Sequence, residues 1–387
     1  MPIQRRAILS GGALAGIAAG LPADLLAQSV TQGNAPPVEP APTGPEPGVK
    51  HRIKFAAIGM DHAHIYGMCD AIIRGGGTLA MFHSADPAQV ALFQSRYPGA
   101  KLARSEDEIL NDKSIALIAG APVPDLRAGL GIRAMRAGKD YLGDKPAVTS
   151  LQQLADVRKV IGETGRKFAI MYSERLESRA SVHAGQLVAE GAIGKVIQTV
   201  NLAPHRLNAP SRPGWFWDKA RYGGILTDIG SHQADQFLFY TRSSRAHVVA
   251  AQTGNFHWKD RPDFEDFGDM MLTGTGGTGY IRVDWFTPDG LPAWGDGRLF
   301  LLGTQGYIEL RKYVDPGGRP GRDHLLIADQ KGVRYIDCAK VHLPFGAQLV
   351  ADVVERTSTS QDQEQALLAA ELVITAQNQA TRPIQAS

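Results

Sequence analysis

The sequence predicts an α/β fold, with a parallel sheet flanked by helices in its first half and a strand-rich second half. Three observations predict it. Ile53–Gly67, IKFAAIGMDHAHIYG, reads as an apolar strand, a tight turn at Gly59 and the start of a helix. From there to Met171, short apolar runs alternate with helix-period segments, the pattern of a parallel sheet. Beyond Ala246 the chain becomes a series of strands divided by turns such as Thr275-Gly276-Gly277 and Asp289-Gly290.

In the first half, strands are expected at Ile53–Ile58, Thr78–His83, Ile115–Ala119, Asp140–Leu142 and Lys167–Met171. The intervening helices carry their own punctuation. Pro87 opens one, Ser105 followed by Glu108 caps a second, and Gly138 stops the helix that begins at Asp125. In the second half, Ser173–Glu190 reads as one helix and Lys195–Ala203 as a strand. Five strands follow between Ala246 and Arg311, and Leu343–Ser358 and Glu364–Gln379 read as closing helices.

The 387 residues favour two domains, and 43% apolar with 21% charged residues describes a globular chain. A net charge of +2 without a basic run excludes a nucleic-acid footprint. Cys69 and Cys338 form no C-x-x-C pair and read as buried thiols.

Residues 1–28 stand apart from the fold. Arg5-Arg6, a Gly/Ala-rich apolar stretch and a small residue at Ala27 resemble a twin-arginine signal peptide, which predicts a periplasmic or secreted protein. The stretch is too short and glycine-rich to span a bilayer, so no membrane span is expected. Residues 29–50 carry six prolines and read as a disordered arm. The two domains are then 51–172 and 173–387.

In parallel sheets ligands bind beyond the carboxyl ends of the strands, and Gly59, Asp61, Asp86, Pro122 and Lys145 all follow strand ends. A G-x-G-x-x-G loop starting at Gly59 would need glycine at 61 and 64; this chain has Asp61 and His64. Asp61 brings a carboxylate to the phosphate position; His62 or His64 would offset its charge, and the helix N-terminus favours an anion. The expected cofactor-binding residues are Gly59, Met60, Asp61, His62, His64, Asp86, Pro122, Asp144 and Lys145.

Asp144-Lys145-Pro146 resembles the E-K-P signature of the glucose–fructose oxidoreductase / inositol dehydrogenase (Gfo/Idh/MocA) family. Gly223–His232, GGILTDIGSH, is similar to its G-G-x-x-x-D-x-G-x-H segment, and Gly191–Val196 to its G-x-I-G-x-V stretch. The resemblance covers about residues 52–385. It implies an N-terminal Rossmann-type domain and a C-terminal α+β domain with a large, mostly antiparallel open sheet used for homo-oligomerisation. It also implies NAD or NADP, and hydride transfer at a sugar or cyclitol carbon by Lys145, Asp228 and His232. Three features depart from the family: Asp144 for glutamate, the missing loop glycines, and Arg127 where histidine is common. With the export signal, they predict a cofactor bound tightly in the cytoplasm and carried out with the protein.

The chemistry also follows from the residues. Asp228 and His232 lie one helical turn apart, and Asp235 continues their face. Oxidising a hydroxyl needs a base for the proton and an acceptor for the hydride. His232 suits the base, Asp228 would orient it or bond a neighbouring hydroxyl, and Lys145 would stabilise charge on the reacting oxygen. A structural hydrogen bond also fits this spacing. Asp228, His232 and Asp235 lack a further metal ligand, so no metal is expected. Arg175, His205, Arg206 and Trp215 are candidate substrate contacts, because aromatic rings and dense donors suit sugars. Alternatives are glycoside cleavage through transient oxidation and a non-catalytic carbohydrate-binding protein.

Overall fold

The computed structural model describes residues 40–382, so the twin-arginine segment and the first half of the proline-rich arm lie outside the described residues. Two sheets organise the chain, as the sequence predicts. The first is parallel, in the order β3-β2-β1-β4-β5-β6. Its strands are β1 (Ile53–Ile58), β2 (Gly77–His83), β3 (Lys101–Leu102), β4 (Ile115–Gly120), β5 (Asp140–Asp144) and β6 (Phe168–Met171). The intervening helices are α1 (His64–Arg74), α2 (Pro87–Arg96), α3 (Glu106–Asn111), α4 (Pro124–Arg136) and α5 (Leu151–Thr164). The order reverses between β1 and β4, the switch point beside which such sheets form a crevice.

The sequence reading of one helix over Ser173–Glu190 is corrected: α6 (Ser173–Leu176) and α7 (Arg179–Ala189) are separate. Ser178 breaks the run by capping α7, its hydroxyl accepting from Ser181 N. Then come β7 (Val196–Pro204), α8 (Lys219–Tyr222), α9 (Ile225–Asp228) and α10 (Gly230–Thr241).

The second sheet is completed by β8 (Ala246–Gly254), β9 (Phe267–Gly274), β10 (Thr278–Asp284), β11 (Arg298–Gly303), β12 (Gly306–Arg311), β13 (His324–Asp329) and β14 (Gly332–Asp337). Its order is β14-β13-β12-β11-β7-β10-β9-β8, antiparallel except where β10 pairs with β7. The β13–β14 hairpin was not anticipated. β14 is an edge strand with Val333 78% exposed, so it carries little of the apolar alternation that marks a buried strand.

One apolar core runs through both sheets, and a smaller one lies between α7 and the outer strands of the second sheet. The last helices, α11 (Phe345–Glu355) and α12 (Gln363–Gln379), return to the first half. α11 crosses α1 so closely that a Cβ on Gly346 would lie 1.9 Å from the Ala71 carbonyl oxygen. The open edge of β6 is met by two glutamine side chains. Gln363 Oε1 accepts from Phe168 N (2.8 Å), and Gln361 both accepts from Ile170 N (3.1 Å) and donates to Ile170 O (3.0 Å).

Composition predicts no order for residues 29–50, yet the described part of that arm is held against the end of α1. Glu46 N donates to Arg74 O at 2.8 Å, and the Glu46 carboxylate lies 3.2 Å from His342 Nδ1. Among the described residues no helix is long and apolar enough to cross a membrane.

Candidate active site

The loop after β1 is stitched to its neighbours by backbone bonds. Gly59 N donates to His83 O (3.3 Å), Ala121 N donates to Gly59 O (3.2 Å), and His62 N donates to Ala121 O (3.1 Å). Gly59 has φ +74°, and a Cβ there would lie 2.7 Å from the Cβ of Pro122, so the position requires glycine. Met60 is buried in the core. Asp61 accepts from Gln89 Nε2 at 3.3 Å, and Gln89 Oε1 accepts from Ser84 Oγ at 2.6 Å, a chain that ties the loop to the end of β2. Asp86 is exposed and caps α2, accepting from Ala88 N at 2.8 Å.

α1 begins at His64 with no side-chain cap, and the amides of Met60, Asp61 and His64 bond no other described residue. These groups and the positive end of α1 suit a phosphate-bearing ligand. Together with the switch point they fit a dinucleotide. With Asp61 turned to Gln89, the loop amides would hold its pyrophosphate.

Beneath the loop lies a fully buried carboxylate. Asp144 ends β5 and receives His62 Nδ1 at 2.7 Å, His64 Nδ1 at 2.9 Å and Arg127 Nη2 at 3.0 Å. Burial alone would raise its acid strength threshold, but Arg127 and the two imidazoles hold the carboxyl well below the usual carboxylate range. Arg127, itself 1% exposed, also donates to Pro122 O at 2.8 Å and to Lys145 O, so it clamps the segment that follows β5. His62, His64 and Asp144 bring three possible metal ligands within 4.8 Å of one another. Arg127 already supplies the positive charge on that carboxylate, and each imidazole addresses it as a hydrogen-bond partner.

Lys145 follows directly, before a cis peptide bond to Pro146. Its Nζ lies 3.0 Å from Asp228 Oδ1 at the end of α9, 83 positions away in sequence. Burial works to raise the Asp228 carboxyl, but Lys145 brings it below its ordinary value. The expectation that Asp228 orients His232 is not what the structure shows. Asp228 is taken by the charged lysine, which outcompetes a neutral imidazole, and no hydrogen bond joins Asp228 to His232 among the described residues.

His232, on α10, is 3% exposed, and its Nδ1 has no hydrogen-bond partner. Burial holds it well below the usual histidine range, so the ring is neutral at pH 7. The acid whose charge acts most strongly on it is Glu174 of α6. Glu174 Oε2 accepts from Lys312 Nζ (2.6 Å) and Gln233 Nε2 (3.0 Å), while its Oε1 has no partner.

The other expected residues divide. His205 and Trp215 line the crevice with His62, Arg127, Lys145 and Asp228, closed on the far side by Arg212, Phe216 and Trp285. His205 stands edge-on to Trp285 and Trp294, and burial pushes its pKa down to about 4. Arg206 instead fastens the loop after β10, donating to Pro288 O at 2.9 Å and Leu291 O at 2.5 Å. Arg175 forks onto Asp235 at 2.5 and 2.9 Å beneath Phe239, so Asp235 serves that pair.

Sequence reasoning gave no site role to Arg212, which stacks 4.4 Å from the Phe216 ring and 5.0 Å from that of Trp285. Its signal was present in the same donor- and aromatic-rich loop as His205 and Trp215. Glu174 fell within the expected Ser173–Glu190 helix and was given no role there.

Comparison with known proteins matches this architecture. Residues 182–309 match the family model described as the GFO/IDH/MocA C-terminal domain. Among curated proteins, the chain is 24% identical over 150 residues to D-xylose dehydrogenase of Paenarthrobacter nicotinovorans, covering 38% of each chain. It is 25% identical over 188 residues to 1,5-anhydro-D-fructose reductase of Ensifer adhaerens, covering 46% of this chain and 54% of that one. These matches span about half or less of the curated relatives. Levoglucosan dehydrogenase, solved with NADH and levoglucosan, shares the fold at 18% identity (TM-score 0.69, covering 85% of this chain and 98% of that one). The crystal structure of a candidate oxidoreductase from Erwinia carotovora atroseptica is 46% identical, covers 86% of this chain and 99% of its own, and superposes with a TM-score of 0.83. With the two sheets in their order, Lys145 and Asp228 in one crevice, and these likenesses, the chain belongs to the Gfo/Idh/MocA family of oxidoreductases.

Proposed function

We propose that this protein is an exported oxidoreductase that transfers a hydride between a CH–OH carbon of a sugar- or cyclitol-like alcohol and a tightly bound NAD or NADP. The observation that carries the reading is the contact of the buried Lys145 with the partly buried Asp228, 3.0 Å long, at the carboxyl edge of a parallel sheet whose switch-point loop fits a dinucleotide. The similarity to D-xylose dehydrogenase and 1,5-anhydro-D-fructose reductase supports the substrate class.

When bound, the nicotinamide supplies the hydride acceptor. The chain's residues do the rest. Lys145 holds the alcohol oxygen and stabilises negative charge as its O–H bond breaks. Asp228 fixes the ammonium group and can accept from a neighbouring hydroxyl. The neutral His232 takes the proton; burial keeps it unprotonated beforehand, and the Glu174 carboxylate favours the protonated ring that results. Trp215, Phe216 and Trp285 offer apolar faces to a sugar ring and exclude water.

Export is supported by Arg5-Arg6 and the Gly/Ala-rich stretch that follows. Self-association through the second sheet is supported by its outward apolar side chains: Val249, Met271, Tyr307 and Val333 are 57%, 51%, 41% and 78% exposed.

The test is to purify the protein from the periplasm, denature it, and identify released nucleotide by mass spectrometry. NAD or NADP near one per chain is expected, followed by reduced nicotinamide on screening sugars and cyclitols. No released nucleotide, with no binding on titration of the refolded protein, sinks the redox reading. An Arg5→Lys/Arg6→Lys variant retained in the cytoplasm is the expected outcome for the export route.

A further inference from the structure

We propose that His62 is a ligand-contacting residue, whose Nε2 accepts a hydrogen bond from a hydroxyl of the molecule in the crevice, either a ribose of the cofactor or the sugar-like substrate. The inference rests on the proposed function for the presence of such a ligand, and on this chain's own residues for the contact.

The tautomer of His62 is set by its partner. Nδ1 lies 2.7 Å from Oδ2 of Asp144, and Asp144 is ionised by its contact with Arg127 at 3.0 Å. An ionised carboxylate accepts only, so Nδ1 carries the proton. In a neutral ring the lone pair then sits on Nε2. Burial, reinforced by the nearby His64, keeps the ring neutral, with its pKa pushed down to about 3.

The side chain is 15% accessible and lines the crevice with Lys145, Asp228, His205 and Arg212. No described residue bonds to Nε2. A neutral acceptor recognises a donor. An ionised phosphate offers none, whereas hydroxyls of ribose and sugar do. In the G-x-G-x-x-G register His62 fills a variable position, so the acceptor is this chain's own and is not set by the glycine pattern. His64 bonds Asp144 through Nδ1 in the same way but does not line the crevice, which makes it the comparison residue.

The experiment compares wild type, His62→Ala, His62→Gln and His64→Ala, each checked for folding by thermal melting. NADH and NADPH affinity is measured by fluorescence titration of protein refolded free of nucleotide, and kcat and KM are measured with the best sugar found for wild type. Loss of one neutral hydrogen bond predicts a weakening of about 5- to 10-fold in His62→Ala. It falls on cofactor affinity if a ribose is the donor and on kcat/KM if the sugar is. His62→Gln recovers part of it, and His64→Ala shows a smaller effect. Removing the contacted hydroxyl, with a deoxy sugar or a cofactor analogue lacking a ribose hydroxyl, abolishes the difference between wild type and His62→Ala.

A folded His62→Ala protein unchanged in both affinity and kcat/KM overturns the proposal and leaves the redox reading intact. Equal losses in His62→Ala and His64→Ala, insensitive to the deoxy analogues, also overturn it, because they report support of Asp144 alone. A wild type that binds neither nucleotide overturns both.

Discussion

Arg127 and Asp144 meet 3.0 Å apart with side chains 1% and 0% accessible, and the same carboxylate also takes His62, which shares Oδ2 with Arg127, and His64 on Oδ1. Three departures from the family pattern therefore meet at one point: the short Asp144, the histidine in place of the third loop glycine, and Arg127 in place of histidine. They form one adapted set. The shorter acid leaves room for the imidazoles, and the arginine fixes its charge.

Restoring glutamate alone should accordingly be harmful. Asp144→Glu adds a methylene to a filled site and is expected to cost about 1–3 kcal/mol. In a His64→Gly background the cost should shrink by at least about 0.5 kcal/mol, the coupling expected of residues in contact. Urea unfolding of the four proteins in the cycle measures it, and strict additivity would contradict the adapted set.

Lys145→Ala and His232→Ala are each expected to lower kcat by about 10²- to 10⁴-fold while the circular dichroism spectrum is kept. Steady-state kinetics on the substrate found for wild type checks this. Unchanged turnover in either variant rejects its assigned role.

Glu174→Ala leaves Lys312, 1% exposed, without its 2.6 Å carboxylate partner. Removing one member of a buried pair is expected to cost about 3–5 kcal/mol. Glu174→Ala/Lys312→Met should recover part of that loss. A single variant as stable as wild type would show that Gln236, which also accepts from Lys312 at 3.0 Å, suffices alone.

His205 gives a pH prediction with a definite sign. In the fold its pKa is pushed down to about 4, against 6.5 for an ordinary histidine. Between these values the unfolded chain binds a proton that the native state does not, so stability falls as pH is lowered from 6.5 to about 4. The full contribution is present above pH 6.5 and amounts to about 3 kcal/mol. The difference in unfolding free energy between wild type and His205→Asn should follow this curve; a flat difference would remove the assignment.

Gly59→Ala places a Cβ 2.7 Å from Pro122 at φ +74°. A destabilisation of about 1–3 kcal/mol is expected. Nucleotide affinity should fall with it, because the same turn sets the loop amides; melting and NADH titration read the two effects.

Much of this was legible in the sequence because the signals are local. The alternation of strands and helices, Gly59 at a strand end, Pro87 at a helix start, and Lys145 after a strand each declare themselves within a few residues; Asp86, expected at the cofactor, instead caps the helix that Pro87 opens. What was missed is non-local. Arg127 stands 17 positions from Asp144 and reads in sequence only as an unusual residue at a family position. Glu174 meets Lys312 across 138 positions, and nothing local distinguishes it from a solvated helix charge. Asp228 was paired in sequence with the residue one turn away; the fold brought it Lys145 from the end of β5, 83 positions earlier.

Gln361 and Gln363 occupy the edge of β6 with side-chain amides, imitating the bonding of a neighbouring strand without extending the sheet. An open edge is a template for another copy of the chain. Here the stopper is made almost two hundred residues after the strand it guards, so a ribosome releases β6 long before its cover exists. A chain cut short ahead of Gln361 would carry a ready seam for fibrous self-stacking, and a full-length chain closes that seam with two uncharged side chains.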